Sequence, residues 1–233
     1  MSESPVSPQG SAAPSAVSWR RLRWLVPPAI LLLVVLLVRA FLVTPYSIPS
    51  RSMEPTLQVG DRILVDRMVD AARLSRGDII VFDASAAFGL EESSDGLLER
   101  LGDVVTGALG GAPGLDHLVV VKRVIGLPGD HVVCCDADDR LVINGRATDE
   151  PYLFPGDAAA TSPFDVTVPP GRFWVMGDHR SASSDSRSHL GAPGGGTIPA
   201  EDIIGQVLMR YWPLDRGGSI DPSTTSSTPR NGQ

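Results

Sequence analysis

Short runs of β-forming residues, each cut off by a glycine or proline cluster, constrain this chain more than any other feature. Arg62–Val65, Asp78–Phe82, Leu118–Ile125, His131–Val133, Leu141–Ile143, Phe173–Val175 and Ile203–Arg210 read as strands, with residues 126–130, 169–171 and 191–196 among the breaks. Glycine (24) and proline (20) make up about a fifth of the 233 residues, a density that favours turns over long helices. The pattern predicts a mainly β domain of hairpins, sandwich-like or barrel-like. Asn144-Gly145 directly after Leu141–Ile143 predicts a type I′ turn, whose two central residues both need positive φ.

Two segments depart from this pattern. Between Leu90 and Leu109, apolar residues recur at three- and four-residue steps, which predicts one amphipathic helix inserted over 90–109. Near the N-terminus, Arg20, Arg21 and Arg23 precede an apolar stretch from Trp24 to Val43 broken only by Arg39. About 20 apolar residues match a bilayer core, and Arg39 lies near enough to one end to snorkel. A cleaved secretory signal would need a small-x-small site, and the segment ends instead in Arg-Ala-Phe-Leu-Val-Thr-Pro-Tyr. The expectation is an uncleaved single-pass helix over 20–43. The arginines before it place residues 1–19, a Ser/Pro/Ala-rich tail expected to be disordered, in the cytoplasm, and everything after it outside the cell membrane. Residues 44–214 then form the extracytoplasmic domain, and 215–233 a second disordered tail.

Charge and cysteines exclude some classes of function. The net charge is −7, and the scattered arginines form no basic stripe, which argues against a nucleic-acid partner. Cys134 and Cys135 are the only cysteines, with no Cys-x-x-Cys or His-Glu-x-x-His run, so no metal is expected. The adjacent pair is open to two readings, a vicinal disulfide or two thiols on opposite faces of a strand.

Three stretches carry polar residues that a structural domain would not need. In Tyr46-Ser-Ile-Pro-Ser-Arg-Ser-Met-Glu-Pro-Thr-Leu57, prolines bracket Ser50 and Ser52, which an extended chain turns to one face. In His117–Gly126, Lys122 interrupts an aliphatic strand, and it is the single lysine beside nineteen arginines. Arginine keeps its proton at accessible pH, whereas a desolvated lysine gives it up and becomes a base. Lys122 shares a face with Val120 and Val124, which places it inside rather than in solvent. In Val175–Arg187, Asp178, Asp185, Arg180 and Arg187 are expected to pair and pin a loop, with Ser183 within reach of an amine.

Taken together, Ile48–Leu57, Gly60–Asp66, Lys122–Asp130 and Met176–Arg187 resemble the four conserved boxes of the bacterial type I signal peptidases, in order and spacing. The resemblance covers roughly residues 24–212. It implies a membrane-anchored serine endopeptidase that removes signal peptides from secreted preproteins at the outer membrane face. Preproteins and membrane lipid would be its partners, and it would need no cofactor. It further implies a Ser52/Lys122 dyad, Ser50 with the Ser52 amide as oxyanion donors, and Ser183 as the hydroxyl orienting the lysine. Asp178, Asp185 and Arg187 would hold the site together, and Tyr46, Ile48, Met53, Leu57, Val120 and Val121 would form pockets for small side chains. Two residues depart from the commonest pattern: Arg51 replaces a glycine between the serines, and His179 stands where asparagine is frequent. The short stretch between the last two boxes implies that the family's second β subdomain shrinks to a ribbon over 131–171. From the residues alone, a Ser-His-Asp triad using His179 or His189 and a non-enzymatic β module remain open.

Overall fold

The computed structural model describes residues 24, 26–28, 30–32, 43–89, 118–160 and 162–220. The chain divides into Met1–Leu37 and Val38–Gln233. In the first unit the described residues are helical, and Trp24, Val26, Ile30, Leu31 and Leu32 are exposed. Among the described residues no helix is long and apolar enough to cross a membrane, and positions 33–42 of the expected span lie outside them. The helix expected over 90–109 also lies outside them.

The second unit is mainly β. Strands β1 (Val43–Ser47), β2 (Arg62–Asp66), β3 (Ile79–Asp83), β4 (Val119–Gly126), β9 (Arg172–Met176), β10 (Ile198–Pro199), β11 (Ile203–Trp212) and β12 (Gly218–Ser219) form one antiparallel sheet. Its order is β1-β2-β11-β3-β4-β9-β10, with β12 on β11. A four-stranded sheet, β7-β6-β5-β8, is built from β5 (His131–Cys134), β6 (Leu141–Ile143), β7 (Arg146–Ala147) and β8 (Phe164–Thr167). The seven runs read as strands from the sequence all lie in or overlap strands of these two sheets. At the β6–β7 turn, Asn144 (φ 52°) and Gly145 (φ 77°) both take the positive φ that a type I′ turn demands.

Alternation along β3 and β4 sends side chains into two cores. Ile80, Phe82 and Val124 pack with Phe88, Phe173 and Val175, while Ile79, Val81 and Val121 pack with Ile48, Met53, Leu57 and Ile63. A third core joins Val132, Leu141 and Phe164 of the small sheet to Trp174 and Met176 of β9, so β9 serves both sheets. One short helix, α1 (Ala84–Phe88), follows β3, capped by the Asp83 carboxylate at its first turn. Cys134 and Cys135 are joined as a vicinal disulfide, the first of the two readings of that pair.

Candidate active site

Residues 48–61 form a loop closed at its base by Ile48 N–H to Asp61 C=O (2.9 Å) and Gly60 N–H to Ile48 C=O (2.9 Å). Gly60 sits at φ +89°, a conformation that a side chain would strain. Buried Asp61 accepts from Gln58 N–H (2.9 Å) and pairs with Arg210, which also donates to Thr56 C=O (2.8 Å). Within the loop, Glu54 N–H to Arg51 C=O (3.0 Å) and Leu57 N–H to Met53 C=O (2.8 Å) make two overlapping turns, and Ser52 is the second residue of the first. The apolar anchors Met53 and Leu57, both fully buried, fix this irregular segment in the core.

Lys122 reaches this turn from β4. Strand β9 pairs with β4 through Met176, opposite Arg123, and then leaves the sheet at Gly177. The flank of Lys122 is therefore free of a ladder partner on that side, and the Ser52 turn fills the space. Lys122 Nζ and Ser52 Oγ are 2.8 Å apart, with Lys122 3% and Ser52 6% exposed. Ser50 Oγ lies 3.3 Å from Ser52 Oγ. Burial lowers the Lys122 pKa to about 8, against the opposing pull of Asp185 and Asp178 and with a smaller push from Arg187.

Those carboxylates are committed elsewhere. Asp178 accepts from Arg123 Nε and Nη2 (2.7 and 2.6 Å) and from Thr56 Oγ1 (2.5 Å), so it ties β4 to the nucleophile loop. Asp185 accepts from Gly177 N–H (2.9 Å), Ser183 Oγ (2.7 Å) and Arg187 Nε and Nη2 (2.8 Å each). Burial alone would raise the Asp185 pKa; the bonds from Arg187, Gly177 and Ser183 outweigh it and hold the carboxyl below its ordinary range. Gly177 is held to glycine by space: a Cβ there would strike Ser183 Oγ and the Ser52 carbonyl. Among the described residues no group of three His, Cys, Asp or Glu side chains is placed to hold a metal ion.

A buried serine hydroxyl at hydrogen-bond distance from a buried amine of lowered pKa is the arrangement of an activated nucleophile and its base. Residues 21–212 match the family described as signal peptidase, peptidase S26. Signal peptidase I of Mycobacterium tuberculosis is 38% identical over 203 residues, covering 77% of this chain and 68% of that protein. Signal peptidase IB of Staphylococcus aureus is 31% identical over 210 residues, covering 83% and 90%. This chain belongs to the peptidase S26 family of signal peptidases. As a family member it is a serine endopeptidase that removes signal peptides from preproteins. A signal peptidase I structure from Enterococcus faecalis aligns at 26% identity with a TM-score of 0.37, covering 57% of this chain and 96% of that one.

Within this signal peptidase, Ser50, Ser52, Lys122, Asp178, Ser183, Asp185 and Arg187 gather around the Ser52 turn or one bonded neighbour away. Ser183 Oγ donates to Asp185, and among the described residues the hydrogen bond of Lys122 goes to Ser52. Tyr46, Ile48, Met53, Leu57 and Val121 share one apolar cluster, whereas Val120 packs with the other core. The expected pairing of Asp178 with Arg180 or Arg187 is replaced: Arg123 takes Asp178, and Arg180 pairs with Glu150 (2.5 Å). Neither imidazole of the alternative triad is hydrogen-bonded to the Ser52 hydroxyl; the His179 ring stacks on Phe154 and that of His189 on Phe88. Sequence reasoning missed Arg123, Thr56 and Glu54 as parts of the site. A second cation beside Lys122 in an aliphatic run was the available signal for Arg123. Nothing local marked the other two.

Proposed function

We propose that Ser52 and Lys122 are the nucleophile and general base of this peptidase, and that it works at the outer face of a membrane to which residues 20–43 anchor it. The buried 2.8 Å contact between Lys122 Nζ and Ser52 Oγ carries this reading. Neutral Lys122 takes the Ser52 proton as Oγ attacks the scissile carbonyl, and it returns that proton to the departing amine. The oxyanion is stabilised by Ser50 Oγ and the Ser52 N–H, a donor set of the kind worth about 10²–10³ in rate per member. Water, deprotonated by Lys122, then hydrolyses the acyl group from Ser52. Tyr46, Ile48, Met53, Leu57 and Val121 form the apolar wall against which the small residues before the cut would lie. Asp178, Asp185, Arg187 and Ser183 hold the base and the loop in place.

The anchor reading rests on the apolar stretch of about 20 residues, on helical backbone at its described positions and on exposed Trp24, Val26, Ile30, Leu31 and Leu32. Residues 44–214 then face outward as the catalytic domain, with 131–171 as its small β subdomain. The test is incubation of the full chain, in detergent or lipid, with a secretory preprotein bearing a small-x-small site. Cleavage after that site, lost in Ser52→Ala and in Lys122→Ala, is the expected result. Cleavage by either variant would overturn the dyad.

A further inference from the structure

Arg51 and His179, the two departures from the commonest family pattern, meet at one atom. Arg51 Nε donates to Glu54 Oε2 at 3.0 Å, and His179 Nδ1 faces the same oxygen at 3.8 Å. Arg51 and Glu54 are the ends of the turn that carries Ser52, so their side-chain bond doubles the backbone bond closing it. His179 grips the same turn a second time, because its backbone N–H donates to Ser52 C=O at 3.1 Å.

The imidazole cannot turn freely. It lies flat on the Phe154 ring, with centroids 3.9 Å apart and planes 8° off parallel, and Phe154 N–H donates to Asp178 C=O at 3.0 Å. Nδ1 is buried and has no hydrogen-bond partner among the described residues. The Nδ1 edge of the ring therefore faces Glu54 Oε2 as a polar contact, longer than a hydrogen bond. The Glu54 side chain is 15% exposed and Arg51 66%, and neither belongs to an apolar core, so the bridge adds little to folding.

We propose that Glu54, bonded by Arg51 and faced by the Nδ1 edge of His179, is a positioning residue that sets the Ser52 hydroxyl against Lys122. The proposal rests on the Ser52/Lys122 reading and adds that three side chains outside the dyad fix its distance. Loosening the turn by about 1 Å is enough to cost orders of magnitude in a reaction that depends on alignment. The effect belongs to kcat, because the apolar wall for substrate stays intact.

The test measures kcat and KM separately for the full chain in detergent micelles with a small-x-small preprotein. His179→Phe keeps the ring on Phe154 and removes the polar Nδ1 edge; kcat should fall roughly ten-fold with KM unchanged. His179→Asn returns a polar side chain to this position and should recover kcat to within about three-fold of the wild type. Glu54→Ala, which removes both contacts, should lose at least as much as His179→Phe, and Arg51→Ala added to Glu54→Ala should cost nothing more, since both cut one bridge. Wild-type kcat in His179→Phe or in Glu54→Ala overturns the proposal, and so does equal impairment of His179→Phe and His179→Asn. If His179→Phe fails to fold, the Glu54→Ala measurement decides alone. Retained cleavage by Ser52→Ala would instead sink the parent reading, so the two failures are distinguishable.

Discussion

Strand β4 buries two cations side by side, and they meet opposite fates. Arg123, with no exposed surface, has its guanidinium on both oxygens of Asp178, on Gly77 C=O (2.7 Å) and on Thr56, with the Tyr152 ring 4.0 Å away. Lys122, next in the chain and nearly as buried, points to the other face and meets a serine hydroxyl. The carboxylates near enough to stabilise an ammonium are already satisfied: Asp178 by Arg123 and Thr56, and Asp185 by Arg187, Ser183 and Gly177. Desolvation therefore wins at Lys122 and the proton becomes easy to remove. A fully paired buried cation is structure, and an under-paired one beside a hydroxyl is a base. The difference lies in who holds the neighbouring carboxylates.

Swapping the cation type is the strongest way to break this comparison. Lys122→Arg keeps charge and bulk but cannot release its proton, so cleavage of a small-x-small preprotein should fall by at least about 10³-fold. Ser52→Ala should fall as far, and the double variant no further, because the two act as a unit. A Lys122→Arg enzyme that still turns over would show that the group at this position need not titrate.

Unfolding measurements should part the two cations by sign. Arg123→Met strands a buried Asp178 carboxylate and should destabilise the chain by about 3–5 kcal/mol at pH 7, read as a lower urea midpoint. Lys122→Met should do the reverse. The folded-state pKa is depressed, from 10.5 to about 8, so the amine binds its proton more tightly in the unfolded chain. Below pH 8 folding bears the full cost of burying the charge, about 3 kcal/mol, which fades between pH 8 and 10.5 and is absent above. Lys122→Met should thus be up to about 3 kcal/mol more stable than the wild type at pH 6, and no more stable at pH 10.5. A loss of stability in Lys122→Met at pH 6 would mean that the ammonium is well compensated after all.

The sequence revealed the strands and the lysine because both leave local marks. Period-two apolar runs, glycine breaks and the Asn144-Gly145 turn are short-range signals, and each corresponds to an observed element. Lys122 stood out by composition and by its aliphatic neighbours. The ion-pair wiring left no such mark. Asp178 is 55 residues from Arg123 and 122 from Thr56, and Arg180 finds Glu150 across 30 residues, so these partners are fixed by topology. Pairing the charges of the 175–187 segment among themselves was the natural local choice, and it held for Asp185 with Arg187 while failing for Asp178 and Arg180. Grouping Val120 with Val121 in one pocket overlooked the alternation of a strand buried on both faces.

The smallest predicted effect tests the comparison most directly, because it requires no substitution. If Lys122 must be neutral to accept the Ser52 proton, kcat/KM should follow the neutral fraction of an amine with a pKa of about 8. Activity should therefore climb about ten-fold from pH 7 to pH 9 along an ascending limb centred near 8, before any alkaline loss of the fold. An ordinary lysine would place that limb more than two pH units higher. The limb should also move in a defined direction: Asp185→Asn removes the larger of the two carboxylate pulls on Lys122, so the pKa should fall further and the limb shift to lower pH. A profile flat between pH 7 and 9, or one that shifts upward in Asp185→Asn, would separate the measured activity from the protonation of Lys122.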